Sequence, residues 1–155
     1  MLRGIDPVLN AEVLSVLMAM GHGDEVLICD VNHPAASIAA HTVHGSVVHM
    51  TGCGIERATT AILSLLPLDT FVDAPIRRMQ VVGAPDRLVD AHQVMQRVAD
   101  LAAGEPVSVE ALARFDFYEA ARGAYAVIRT SDPGPYGCFL LRKGVIDSQT
   151  ATIER

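Results

Sequence analysis

At 155 residues, half of them hydrophobic, the chain is the size of one ordinary domain and can fill a core of its own, which leaves no room for a second independent one. Its formal net charge of −6, from 18 acidic against 12 basic residues, and the lack of any Lys/Arg-rich run exclude nucleic acid and anionic lipid as partners. A mean hydropathy of +0.31 with 19% charged residues leaves little polar material to cover a small monomer, so homo-oligomerisation is the expected outlet.

Met1 to Pro7 contains one basic residue but neither an apolar core segment nor a small-residue cleavage site, so it does not read as a secretory signal and a cytoplasmic, soluble protein is expected. A helix follows from about Asn10 to Met20: Asn10 can cap it, Leu9 and Leu14 are placed for a hydrophobic staple, and Val13, Leu14, Val16, Leu17 and Met20 recur at helical spacing until Gly21 ends them. Val26 to Cys29 is too short an apolar run for a helix and reads as a buried strand ending at Asp30. Asn32 to Ala40, with Pro34, reads as a loop leading into a short helix, and Val47 to Met50 as a brief strand. A second helix spans Ile55 to Leu66 and stops at Pro67. Met79 to Val82 is expected to be a strand closed by Gly83, and Arg87 to Ala103 a third amphipathic helix, terminated by Gly104 and Pro106. A short helix over Phe117 to Ala121 then precedes two strands, Ala124 to Arg129 and Cys138 to Leu141, joined as a C-terminal hairpin by a loop holding Pro133-Gly134-Pro135-Tyr136-Gly137. Strands alternating with helices indicate a single α/β layered domain over residues 1–155, with a mixed β-sheet flanked by helices.

Gly21-His22-Gly23-Asp24 sets an imidazole between two glycines at a helix-to-strand connection, where backbone and ligand can approach closely and where a group titrating near neutrality suits proton transfer. A loop histidine is equally at home as a structural or merely exposed residue, so the setting alone leaves both roles open. Asp30 could orient that histidine, receive sugar hydroxyls or simply organise a strand-end turn. His41, His44, His49 and Cys53 fall close together, but their spacing matches no common zinc pattern and places residues 41 and 44 on opposite sides of a strand, so no metal is expected. Cys29, Cys53 and Cys138 are an odd set without CxxC spacing and should be reduced thiols. GxSxG, P-loop and GxGxxG motifs are all missing, which removes the marks of hydrolase, phosphoryl-transfer and nicotinamide chemistry. Met18, Met20 and Met95 sit at helical core positions.

Several segments occur in an order that resembles one family. They are Met1-Leu2-x-Gly4-Ile5-x-Pro7, Met20-Gly21-His22-Gly23-Asp24-Glu25, Asp30-x-x-x-Pro34-Ala35, Leu68-Asp69-Thr70 with Asp73-Ala74-Pro75, Arg114-Phe115-x-Phe117-Tyr118-Glu119-x-Ala121, and Tyr136-Gly137-Cys138-Phe139-Leu140-Leu141-Arg142-Lys143-Gly144-Val145. The set resembles the L-fucose mutarotase branch of the L-fucose mutarotase and D-ribose pyranase family over nearly the whole chain. The resemblance implies a cofactor-free isomerase that interconverts the α and β anomers of a free monosaccharide, with L-fucose the leading substrate. It also implies His22 as the acid/base group, and Asp30, Arg114, Tyr136, Gly137 and Cys138 as the sugar-binding positions. It further implies a ring-shaped homo-oligomer, a decamer being one size it allows, in which the Tyr136 loop reaches a neighbour's active site. One departure stands out: the family reads Tyr-Gly-Asn where this chain has Tyr136-Gly137-Cys138, and a thiol supplies none of an amide's good donors or acceptors. A D-ribose pyranase shares the ring-opening step and is the nearest rival, although Arg114 in its setting favours the fucose branch. A sugar-binding accessory protein without turnover is the rival that Cys138 keeps open, and a metal-binding regulator is a distant third.

Overall fold

The computed structural model describes residues 2–146. Asn10 caps α1 (Ala11–Ala19), its side-chain oxygen accepting the Val13 amide at 3.0 Å, while Val13, Val16 and Leu17 turn inward. The chain then forms β1 (Glu25–Cys29), α2 (Ala35–Ala39), β2 (Val47–His49), α3 (Ile55–Leu63), β3 (Ile76–Met79), α4 (Asp90–Ala103), β4 (Val109–Leu112), α5 (Arg114–Arg122), β5 (Ala126–Arg129) and β6 (Cys138–Arg142). The strands build one sheet in the order β2-β5-β1-β6-β3-β4. Five of them share one direction: β1 and β2 run parallel to β5, β3 runs parallel to β4, and only β6 runs against its neighbours β1 and β3.

Helices cover both faces, which is why β1 and β6 are apolar at consecutive positions instead of alternating with polar ones. On one face Val26, Ile28, Phe139 and Leu141 pack with Val13, Ile62 and Met95 from α1, α3 and α4. On the other, Leu27, Cys29, Cys138 and Leu140 pack with Ile38, Phe117 and Ala121 from α2 and α5. No helix among the described residues is long and apolar enough to cross a membrane.

The mixed α/β domain agrees with the sequence, but several local readings change, and Met18, expected in the core, lies exposed on α1. The two last strands are not a hairpin, because β1 lies between β5 and β6; the antiparallel character comes from β6 inserting between β1 and β3. The strand expected over residues 79–82 runs instead from Ile76 to Met79. Its two arginines disguised it, Arg77 being matched by an ion pair with Glu25 of β1, while Val81 and Val82 fall in the following connection. β4, a short edge strand paired along β3, carried no alternation strong enough to announce it, and α5 starts three residues before the expected Phe117.

Candidate active site

The common direction of five strands gives the sheet two distinct ends, and candidate residues stand at both. His22 stands at the end where β1 begins. Its loop is fixed by Gly21 N–H donating to the Asp24 carboxylate at 2.7 Å and by Gly23 N–H donating to the Lys143 carbonyl at 2.8 Å, Gly23 having the left-handed φ of +85° that glycine tolerates. The imidazole, its side chain 44% exposed, places Nε2 3.2 Å from Oδ1 of Asp69, whose side chain is 3% exposed. That oxygen also accepts the Phe71 amide at 3.0 Å, and the other carboxylate oxygen lies 3.3 Å from Arg142 Nε. The largely exposed Phe71 ring stands edge-on to the imidazole, with centroids 5.4 Å apart. Burial by itself would raise the Asp69 carboxyl, but the Phe71 amide, His22 and Arg142 outweigh it and hold the carboxyl below the usual carboxylate range.

Asp69 reaches this position because its segment is clamped to the end of β6. Asp69 N–H donates to the Arg142 carbonyl at 3.1 Å, Gly144 N–H donates to the Pro67 carbonyl at 2.8 Å, and Leu68 forms a bridge with Lys143. The approach is close enough that a Cβ on Gly144 would come within 2.5 Å of the Leu68 carbonyl oxygen.

Asp30, Arg114, Tyr136 and Gly137 stand at the opposite end. Asp30 is buried, and its carboxylate accepts three backbone amides: Asn32 at 2.7 Å and His33 at 3.1 Å on Oδ1, and Gly137 at 2.8 Å on Oδ2. Burial outweighs these bonds and leaves its carboxyl raised. Gly137 packs closely here: a Cβ in its place would lie 3.3 Å from the Asp30 Cβ, so a larger residue would press on Asp30. Tyr136 adopts a left-handed φ of +61°, and its hydroxyl accepts the Val82 amide at 3.1 Å, so the ring bridges from β6 to the connection after β3. Arg114, the first residue of α5, is exposed and with Phe115 borders a concavity completed by Val82 and Pro85. Cys138 differs from the other candidates: its thiol is buried in the core opposite Cys29, and burial, with Asp30 and Cys29 nearby, pushes its pKa far up. No sugar could meet that thiol without entering the core.

One chain therefore brings Asp30, Tyr136 and Gly137 together, sets Arg114 on the same edge, and leaves His22 on the other. The register from Glu25 to Cys29 alone separates the two ends by about 13 Å. In particular, Asp30 cannot orient the His22 of its own chain. The partners His22 does have, Asp69 and Phe71, and Arg142 behind Asp69, are not singled out by the sequence, although Asp69 and Arg142 lie in segments that carry the resemblance.

Two further buried histidines flank the Asp30 end. His33 packs edge-on to Phe117 and Tyr118; His92 packs against Tyr136 and Phe139 and accepts the Val89 amide through Nδ1. Burial lowers both to about 4, with the Arg78 charge adding to the effect at His92. Between pH 6.5 and 4 the unfolded chain then binds protons that the folded one does not, so stability contributed by these neutral rings is lost as pH falls through that window. Thermal melts from pH 7.5 to 4.5 are expected to show this, with a His33→Gln, His92→Gln double variant losing less of its Tm over the window; an equally steep loss would remove both histidines as the cause.

Residues 3–146 match the RbsD / FucU transport protein family. The chain is 35% identical over 145 residues to an L-fucose mutarotase from Haemophilus influenzae, covering 94% of this chain and 97% of that protein. The crystal structure of protein Atu2016 superposes with a TM-score of 0.92 at 48% identity, covering 95% of this chain and 97% of the other. The fucose mutarotase from Streptococcus pneumoniae, solved in complex with L-fucose, superposes with a TM-score of 0.80 at 32% identity, covering 94% of this chain and 100% of that one.

Proposed function

Since this chain belongs to the RbsD / FucU transport protein family, we propose that it is a mutarotase that needs no cofactor and interconverts the α and β anomers of a free monosaccharide, L-fucose first among them. The observation that carries the reading is His22: a half-exposed imidazole, backed by a buried carboxylate and bounded by an exposed aromatic ring, at the position the sequence motif marks for the acid. The similarity to mutarotases that act on L-fucose supplies the substrate class. Ring opening needs a proton delivered to the ring oxygen while the anomeric hydroxyl loses one; rotation about the freed carbon and closure on the other carbonyl face reverse both transfers and invert the anomeric centre. His22 delivers and recovers the ring-oxygen proton, Arg114 offers a planar set of donors to hydroxyls, and Tyr136 adds a hydroxyl and a ring face.

Such a site needs two copies of the chain. Its two halves lie on opposite ends of the sheet, and a head-to-tail contact that sets the His22 end of one copy against the Arg114 end of the next unites them; repeated with rotation, that contact closes a ring. Exposed Phe71 at the first end, with Val82, Leu88 and Phe115 at the second, supports such a contact. A cytoplasmic setting goes with the reading, in keeping with three buried cysteines that are all free. The second, rival reading is a sugar-binding protein without turnover; Cys138 does not favour it, because its side chain lies in the core and not beside the sugar.

Saturation-transfer NMR between the anomeric protons of L-fucose tests the proposal. Catalytic amounts of the protein are expected to raise the exchange rate above the spontaneous one. An unchanged rate for L-fucose, D-galactose and D-ribose alike overturns it, and calorimetric binding without exchange selects the second reading.

A further inference from the structure

The surroundings of His22 specify which ring nitrogen can meet a substrate. Nε2 is turned toward Asp69, whose carboxylate is also met by the Phe71 amide and faced by Arg142. An ionised carboxylate can only accept, so the contact requires the hydrogen to sit on Nε2. In the neutral ring the lone pair is then on Nδ1. The Phe71 ring limits rotation about the remaining free direction. Both partners hang from one anchor, the end of β6: Lys143 holds the His22 loop and Arg142 holds Asp69 through their backbones, so the pair is set before any ligand arrives.

We propose that Asp69 is a positioning residue that fixes His22 as the Nε2–H tautomer, making Nδ1 the nitrogen that exchanges protons with the sugar. The proposal rests on the mutarotase reading for its substrate. As acid, the imidazolium gives the Nδ1 proton to the ring oxygen as the bond from that oxygen to the anomeric carbon breaks; the anomeric hydroxyl passes its proton to bulk water and becomes the carbonyl. On closure Nδ1 takes its proton back from the same hydroxyl, and water returns one to the new anomeric oxygen. Nε2 keeps its hydrogen on Asp69 throughout. Arg142 draws on the other carboxylate oxygen, which restrains Asp69 from taking that hydrogen outright.

Long-range 1H–15N correlations of the His22 ring, recorded at a pH where it is neutral, test the tautomer without reference to activity. The wild-type ring is expected to be a single Nε2–H form, and Asp69→Ala to return it to a mixture. In the exchange assay Asp69→Ala should lower kcat by about a hundredfold with little change in KM, while Asp69→Asn, which keeps one acceptor oxygen, recovers part of the loss. A mixed or Nδ1–H ring in the wild type overturns the assignment, as does an Asp69→Ala protein that keeps one tautomer and full kcat. Should the tautomer respond as stated while no sugar is turned over, the positioning role stands and the mutarotase reading falls.

Discussion

Proteins carrying His22→Ala and Arg114→Ala are each expected to be nearly inactive at low sugar concentration, yet to regain about a quarter of the wild-type rate when the two chains are co-expressed and co-assemble at random. The first variant loses the proton-transfer group, a loss of about 10²- to 10⁴-fold. The second loses hydroxyl recognition and should act through KM. Recovery follows from the placement of the two residues at opposite ends of the sheet: half of the copies in a mixed ring bring an intact His22 and half an intact Arg114, so one contact in four joins both. Two affinity tags isolate the mixed rings, and the anomer-exchange assay reads the result. Activity no greater than the sum of the two parents would mean that each site is built within one chain, and the head-to-tail arrangement would be wrong.

Substituting Asp30 with alanine is expected to cost about 3–5 kcal/mol of folding stability, because three backbone amides lose their only side-chain acceptor and at least two of them are buried. That is a large share of the roughly 5–15 kcal/mol that holds a domain together. Asp30→Asn, which retains one oxygen, should lose less. Urea unfolding followed by circular dichroism measures both. The result separates two roles that the sequence left side by side: if Asp30→Ala unfolds within about 1 kcal/mol of wild type while sugar binding is lost, the carboxylate is a sugar ligand and not the weld between the β1 end and the Tyr136 loop.

What could be read from the sequence was whatever depends on neighbours along the chain. Asn10 as a cap, the buried run from Val26 to Cys29 and the helical spacing of α3 and α4 are local signals, and each element formed where it was expected to within a few residues. β3 was misplaced because a period-based reading sees only the charge of its two arginines, whereas in the fold Arg77 is paired with Glu25, far away in sequence. The supposed hairpin failed for a related reason: a loop can suggest that two strands are adjacent, but only the packing of the whole sheet decides whether a third strand comes between them. His22, Asp30, Arg114 and Tyr136 were found by motif, whereas Asp69 and Arg142 lay within matched segments and only geometry showed that they meet each other behind His22. Asp69 is 47 residues from His22, and their meeting depends on the bridge between Leu68 and Lys143.

The lone reversed strand, β6, ties these findings together. One end carries Tyr136 and Gly137; the other carries Arg142 and the backbone that anchors His22 and Asp69. In a ring of the proposed kind those two ends serve different active sites, so β6 acts as a rigid spacer between consecutive sites, five residues long. Deleting a single residue from it would disturb two catalytic centres at once and leave every side chain of both still encoded.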